Sequence, residues 1–272
     1  MPTWIIFLLP SLGYLLAWWL ALDARRIAAT RWVIPFALVL HAGTLIHPWV
    51  QGQFYFGFAK LLSATLWIGI AIWWAESFAV TLGRTALVLL PIAASACWLP
   101  WFFPGAAFPL RAQQPLFVPH LFAGTLAYAV MFLAAIHAMV MMQVETRLRP
   151  GHAARSGWLT RLLLGDGAEV PPLMVLEKIL FRFITVGFVL LLLTTLTGIV
   201  FSEETFGRPL RIEHKTVFSL IATVFFGLLL AGRRLWGWRG RRALKLAFWG
   251  FALLLMSYVG TRFVLEVVLK RF

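Results

Sequence analysis

The sequence predicts an all-α, polytopic membrane protein with eight transmembrane helices and both termini on the outer side. Three observations carry this. Of the 272 residues, 61% are hydrophobic and only 12% are charged. Apolar runs of membrane-spanning length recur along the whole chain, and basic residues gather between alternate runs. A soluble domain is about half apolar and about a quarter charged. With a mean hydropathy of +0.87, this chain needs lipid as its solvent.

The first span is Thr3 to Leu22, too long for a signal-peptide core and without a basic stretch ahead of it. Arg25, Arg26 and Arg31 follow it, so the N-terminus is expected outside and this turn inside. Trp32 to Trp49 returns outward, with His41 near mid-depth and His47 near its outer end. Phe58 to about Leu82 goes in, carrying Glu76 near the inner end, and Gly83-Arg84 turns it. Thr85 to Phe103 goes out, and a proline-rich outer loop runs to Phe117.

Val118 to Met142 is the fifth span, opening on Pro119-His120; proline suits a first helical turn, where its missing N–H would be unpaired anyway. The loop from about 144 to 177 holds Arg147, Arg149, Arg155 and Arg161 and is expected to be cytoplasmic. Within it, Trp158 to Leu164 reads as a short interfacial helix and Gly165-Asp166-Gly167 as a turn. Ile179 to Phe201, His214 to Gly232 and Leu244 to about Val268 complete the eight. Sixteen of the 24 basic residues fall on the inner side of this topology. We read residues 1–272 as a single integral membrane domain with no internal repeat.

The net charge of +14 follows from the positive-inside rule, and no basic recognition motif points to nucleic acid. One cysteine, Cys97, rules out an internal disulfide, and there is no Cys-x-x-Cys-His attachment motif. No phosphate-binding loop, Ser-His-Asp set or Cys-His pair appears, so a catalytic enzyme is not expected. Trp18, Trp19, Trp73 and Trp74 read as interfacial anchors, and Gly13 and Gly57 as points of close helix packing.

Ionisable groups within spans are functional candidates, and the six histidines separate by position. His152 lies in the basic loop. His137 follows His120 by 17 residues, about 25 Å along a helix, so the two share no small ligand. We expect His137 to be packed and hydrogen-bonded, near Gln143 or Glu76. His41 and His47, six residues apart, point to different faces because six residues turn a helix by about 600°. His120 and His214 each open an inward-going helix at the outer boundary, and Gly124 and Ala127 leave room below His120.

Two readings of that pair stand: interfacial residues facing headgroups, or ligands of a shared metal or haem. A bare zinc ion wants three or four ligands; only His47 offers a third. Haem iron already has four porphyrin nitrogens and needs one or two axial imidazoles. Arg211, Lys215 and Arg111 lie near the same boundary and suit its propionates.

Pro119-His120-Leu121-Phe122-Ala123-Gly124-Thr125-Leu126-Ala127-Tyr128, running on to His137-Ala138, resembles the histidine helix of the cytochrome c assembly protein family. Glu213-His214-Lys215-Thr216-Val217-Phe218-Ser219-Leu220 resembles the second signature of the family's short members, as does Trp238-Arg239-Gly240-Arg241-Arg242-Ala243 followed by Gly250 to Gly260. The resemblance covers about residues 30 to 265. It implies a bacterial inner-membrane protein that binds b-type haem non-covalently through His120 and His214, with lipids and other cytochrome-biogenesis proteins as partners. The loop from Phe201 to Leu210 holds no tryptophan, unlike the tryptophan-rich outer loop of haem-exporting members, so the chain resembles a short accessory branch. Other readings are a small transporter or accessory subunit of metal-ion efflux, needing His41 and Glu76, and a regulator of tetrapyrrole synthesis acting through the loop at 144–177.

Overall fold

The computed structural model describes residues 4–23, 25–50, 55–79, 85–107, 116–148, 172–200, 202 and 214–269. They form eight helices: α1 (Ile5–Ala21), α2 (Ile27–Val50), α3 (Phe58–Glu76), α4 (Ala86–Phe102), α5 (Phe117–Arg147), α6 (Leu173–Val200), α7 (His214–Trp236) and α8 (Gly240–Leu255). α8 continues through two π-helical turns, Met256–Gly260 and Val264–Val268, which flank Thr261–Phe263. Six helices are long and apolar enough to cross a membrane; α1 and α4 are apolar but shorter, at 17 residues each. At 1.5 Å per residue those two reach about 26 Å, against a hydrocarbon core of about 30 Å. A two-residue antiparallel ladder, Tyr55↔Ala107 and Phe56↔Ala106, is a small β element that the all-α expectation did not contain.

The chain divides into two compact units, 1–107 with 140–176, and 108–139 with 177–272. In the first, α1 packs on α2 and α4, and α3 packs on the same two helices. Every neighbour pair is antiparallel. Gly13 meets Ala37 across α1–α2, where a Cβ would fall 2.9 Å from the Ala37 Cβ, so the missing side chain is what lets the two backbones approach. Trp18 donates its indole N–H to the Leu87 carbonyl across α1–α4, Trp67 to Leu38 across α2–α3, and Trp73 to the Thr85 hydroxyl. Three of the four tryptophans read as anchors therefore tie helices together: Trp18, Trp73 and Trp74, which donates to the Arg31 carbonyl. Trp19 is exposed, with the Arg26 guanidinium over its ring.

The second unit is also a closed ring of four antiparallel helices, α5–α6–α7–α8. α5 meets α6 at His120–Thr197, Gly124–Thr194, Met131–Gly187 and His137–Phe183. α6 meets α7 at Thr195–Ser219, Thr195–Thr223, Phe188–Gly227 and Glu177–Arg233. α7 meets α8 at Lys215–Ser257 and at Phe225 and Phe226 against Gly250. α8 closes on α5 at Leu254–Tyr128 and Phe251–Phe132. α5 and α7 thus stand on opposite corners. From Ala127 to Ala138, every α5 residue except Phe132 is buried, as expected of a helix that is apolar all round. α6 and α7 keep stripes of exposed apolar residues, Val189, Leu193 and Leu196 on one and Val217, Leu220, Ile221 and Val224 on the other, as lipid-facing helices do.

α5 and α6 run past the ends expected for them, to Arg147 and back to Leu173, so the loop placed at 144–177 is shorter than the sequence suggested. The extra turns carry Glu145, Arg147 and Glu177, charged residues that leave the hydrocarbon and still continue the helix. Glu177 meets Arg233 at 3.5 Å, and the Arg233 guanidinium stacks 3.4 Å from the centroid of Phe181. The α7–α8 turn uses Gly237 and Gly240 at φ 64° and 61°, a conformation that costs a residue with a Cβ. The expected interfacial helix at Trp158–Leu164 and the turns at Gly83-Arg84 and Gly165–Gly167 lie outside the described residues.

Candidate functional site

His120 is in the first turns of α5, where its backbone N–H bonds the Leu116 carbonyl at 3.0 Å. Pro119, one residue before it, falls where its missing N–H leaves no helical bond broken. The ring is half-buried, and its Nδ1 lies 2.9 Å from the Thr197 hydroxyl of α6. Gly198 makes that approach possible: a Cβ there would stand 3.2 Å from His120 Cε1. His214 is the first residue of α7 and is exposed. Lys215, beside it, is half-buried; its carbonyl accepts from Ser257 of α8, and its ammonium is within electrostatic reach of His120. Arg211 and Arg111 lie outside the described residues.

The relative heights of the two histidines follow from these contacts at a helical rise of about 1.5 Å per residue. Measured through α8, His120 stands about 12 Å beyond Tyr128 and its partner Leu254, and His214 about 6 Å beyond them. Measured through α6, His120 is level with Thr197, about 3 Å past Thr195, while His214 is roughly 10 Å past the Thr195 partners Ser219 and Thr223. One route puts His120 further out and the other His214. Both histidines are therefore at one end of the ring, on opposite corners, with a height offset under about 8 Å.

The remaining histidines fall elsewhere. His137 is buried, its Nδ1 donates to the Leu133 carbonyl of its own helix, and its ring leans on Phe183. It is packed and hydrogen-bonded as expected, through the backbone. His41 is fully buried in the first unit, held at Nδ1 by Tyr14 and at Nε2 by Ser63, with Tyr14 edge-on to its ring. His47 is half-buried further along α2, and Glu76 ends α3. Cys97 is buried and donates to the Ala93 carbonyl. His152 lies outside the described residues.

Two features of this end escaped the sequence reading. Thr197 is one. The other is the pair Arg262 and Glu266 on α8, 3.9 Å apart, with Glu266 buried and Arg262 beside the Tyr258 ring. Their i, i+4 spacing inside an apolar span was the available signal. Among the described residues, no group of three or more His, Cys, Asp or Glu is arranged to hold a metal ion. Two histidines on opposite corners suit a metal complex that brings its own equatorial nitrogens.

The family model described as Cytochrome C assembly protein matches residues 31–269. The chain belongs to the cytochrome c assembly protein family. It is 28% identical over 167 residues to the inner membrane protein YpjD of Escherichia coli K12, covering 61% of this chain and 59% of that relative. It is 28% identical over 233 residues to an uncharacterized 28.8 kDa protein of Azospirillum brasilense, 81% of this chain and 79% of that one. Against the cytochrome c biogenesis protein CcsA of Prochlorococcus marinus (strain CCMP1986), identity is 36% over 89 residues, 33% of this chain and 28% of that one. The chain thus spans about three-fifths of the YpjD relatives and under a third of this CcsA. No solved structure matches. With several helices long and apolar enough to cross a membrane, this family member is a multi-pass membrane protein.

Proposed function

We propose that this protein binds b-type haem non-covalently at the outer end of the α5–α8 ring, with His120 and His214 as the axial pair, and serves cytochrome c assembly in an accessory role. The observation that carries it is the placement of two family-signature histidines on opposite corners of one helical ring, at one end. Each residue has a part. Thr197 holds His120 at Nδ1, which orients the ring and leaves Nε2 as its metal-binding nitrogen. Gly124 and Gly198 keep the α5–α6 wall free of side-chain bulk. Lys215, and Arg211 and Arg111 from the flanking loops, supply positive charge for the propionates. Bound here, haem would supply a redox-active iron; the chain supplies position and an apolar, water-poor wall.

The test is the visible spectrum of the detergent-purified protein titrated with haem. A Soret band with bis-histidine character, saturating at one haem per chain, is the expected result, and a protein that stays colourless overturns the reading. Thr197→Val should lower haem affinity about tenfold while leaving the band position unchanged, because it loosens a ligand without removing it. An unaltered affinity in that variant would show that Thr197 does not orient His120.

A further inference from the structure

α8 contacts both histidine-bearing helices. Along α5, Tyr128 meets Leu254 and Phe132 meets Phe251, so eight residues towards His120 correspond to eight residues along α8, ending at Arg262. Along α7, Lys215 meets Ser257, which puts His214 at the height of Tyr258. Measured along α8, the segment from Tyr258 to Arg262 covers the levels of the two histidines, on the helix that touches both of theirs.

This is also where α8 departs from α-helical geometry. π-Helical turns cover Met256–Gly260 and Val264–Val268, on either side of Thr261–Phe263. The Leu269 N–H reaches back five residues to the Val264 carbonyl, and the Thr261 hydroxyl reaches back five to Met256. Such turns are rare and recur at functional positions. Between them Arg262 is a half-buried cation within a membrane span. It forms an ion pair with the buried Glu266 at 3.9 Å, lies 5.8 Å from the centroid of the Tyr258 ring and is within hydrogen-bonding reach of the Tyr258 hydroxyl. A charge-assisted hydrogen bond is about 2.8 Å long, so the Glu266 contact neutralises Arg262 without engaging the guanidinium fork as a fitted bidentate pair. A fork held near a carboxylate and an aromatic ring is pre-organised to take a carboxylate from a ligand.

We propose that Arg262, poised by Glu266 and Tyr258, is the carboxylate-binding residue of the pocket at His120 and His214, and that the pocket selects a planar, apolar ligand bearing free carboxylates. This rests on the haem reading above and adds to it the basis of ligand selection. Within the described structure, Arg262 adds a fitted carboxylate partner to the positive charge of Lys215, Arg211 and Arg111.

The experiment titrates the full-length purified protein with haem and with haem dimethyl ester, whose propionates are blocked, reading dissociation constants from the Soret band. Wild type should bind the diacid at least about tenfold more tightly than the diester. Arg262→Gln should lose most of that preference, with the Soret maximum unmoved because both imidazoles remain. The ratio of ratios cancels the different partitioning of acid and ester into detergent. Arg262→Gln with Glu266→Gln removes both charges together, so no buried charge is left unpaired, and it should lose the same discrimination if the single variant does not fold. A variant that keeps the full wild-type preference overturns the assignment of Arg262, as does a wild type that binds acid and ester alike. A wild type that binds neither overturns the haem reading and this proposal with it.

Discussion

His120→Ala with His214→Ala is expected to abolish the Soret band that wild type develops on haem titration. Each imidazole is an axial ligand in the proposed site, and no other side chain there is assigned to the iron. Each single variant should therefore lose about a hundredfold in affinity, roughly 2.7 kcal/mol, and shift the spectrum from six- to five-coordinate character. The double variant has no protein ligand left. The singles differ in a way that separates ligand loss from unfolding. His120→Ala opens a ring-sized space beside Thr197 and Gly198 in a packed wall, so added imidazole should re-enter it and restore most of the band. His214 is exposed at the first position of α7, so rescue there should need far more imidazole. A double variant with the wild-type spectrum would move the site away from these two histidines.

The second large effect is on stability. His41→Ala should lower the melting temperature by about 10 °C, read by intrinsic fluorescence from the 14 tryptophans. His41 is fully buried and bonded at both ring nitrogens, to the Tyr14 hydroxyl at 3.2 Å and the Ser63 hydroxyl at 2.9 Å. Removing the ring leaves a cavity costing about 2–3 kcal/mol. It also leaves two hydroxyls without their partner, each hydrogen bond between membrane helices contributing about 0.6–1.7 kcal/mol. The total is about 4 kcal/mol, or roughly 10 °C at about 2–4 °C per kcal/mol. Replacing the cluster together, as Tyr14→Phe, His41→Leu and Ser63→Ala, should recover most of the loss, because no polar group is then stranded. That apolar triple variant also tests the ion-efflux reading, which needs His41. Full ion resistance in stable triple-variant cells would remove it.

The fold was legible because hydrophobicity in a membrane protein is read over whole helices. The eight apolar runs correspond to eight helices among the described residues, six of them long and apolar enough to cross a membrane, and the family resemblance at about 30–265 fell close to the matched residues 31–269. Gly13 was readable as a close-packing position because no other residue allows the α1 backbone that near to Ala37. The ends were harder. Glu145, Arg147 and Glu177 look like loop residues by charge, yet a helix that has left the hydrocarbon keeps its hydrogen bonds and continues. The candidate site was half legible. The histidines announced themselves as ionisable groups at helix starts. Thr197 did not, since a threonine in an apolar run is common and only the α5–α6 pairing brings it to His120. Arg262 and Glu266 were visible as charges but not as a pair beside the histidines, because that depends on which helices are neighbours. The π-helical turns beside them left no mark in composition at all.

The burial of α5 has a consequence for biosynthesis. This helix emerges from the ribosome before α6, α7 and α8, the three members that complete its ring. Its middle is mostly alanine, methionine, leucine and valine, residues that acyl chains solvate as readily as protein does, so the newborn segment can wait in the bilayer at little cost beyond the Tyr128 hydroxyl, whose partner Leu254 is made later. His120 waits with it, since Thr197 and both residues of the Arg262–Glu266 pair are translated later. In the proposed site, loading therefore belongs to the finished polypeptide, and a nascent chain arrested before α6 would carry His120 without the later groups that orient it.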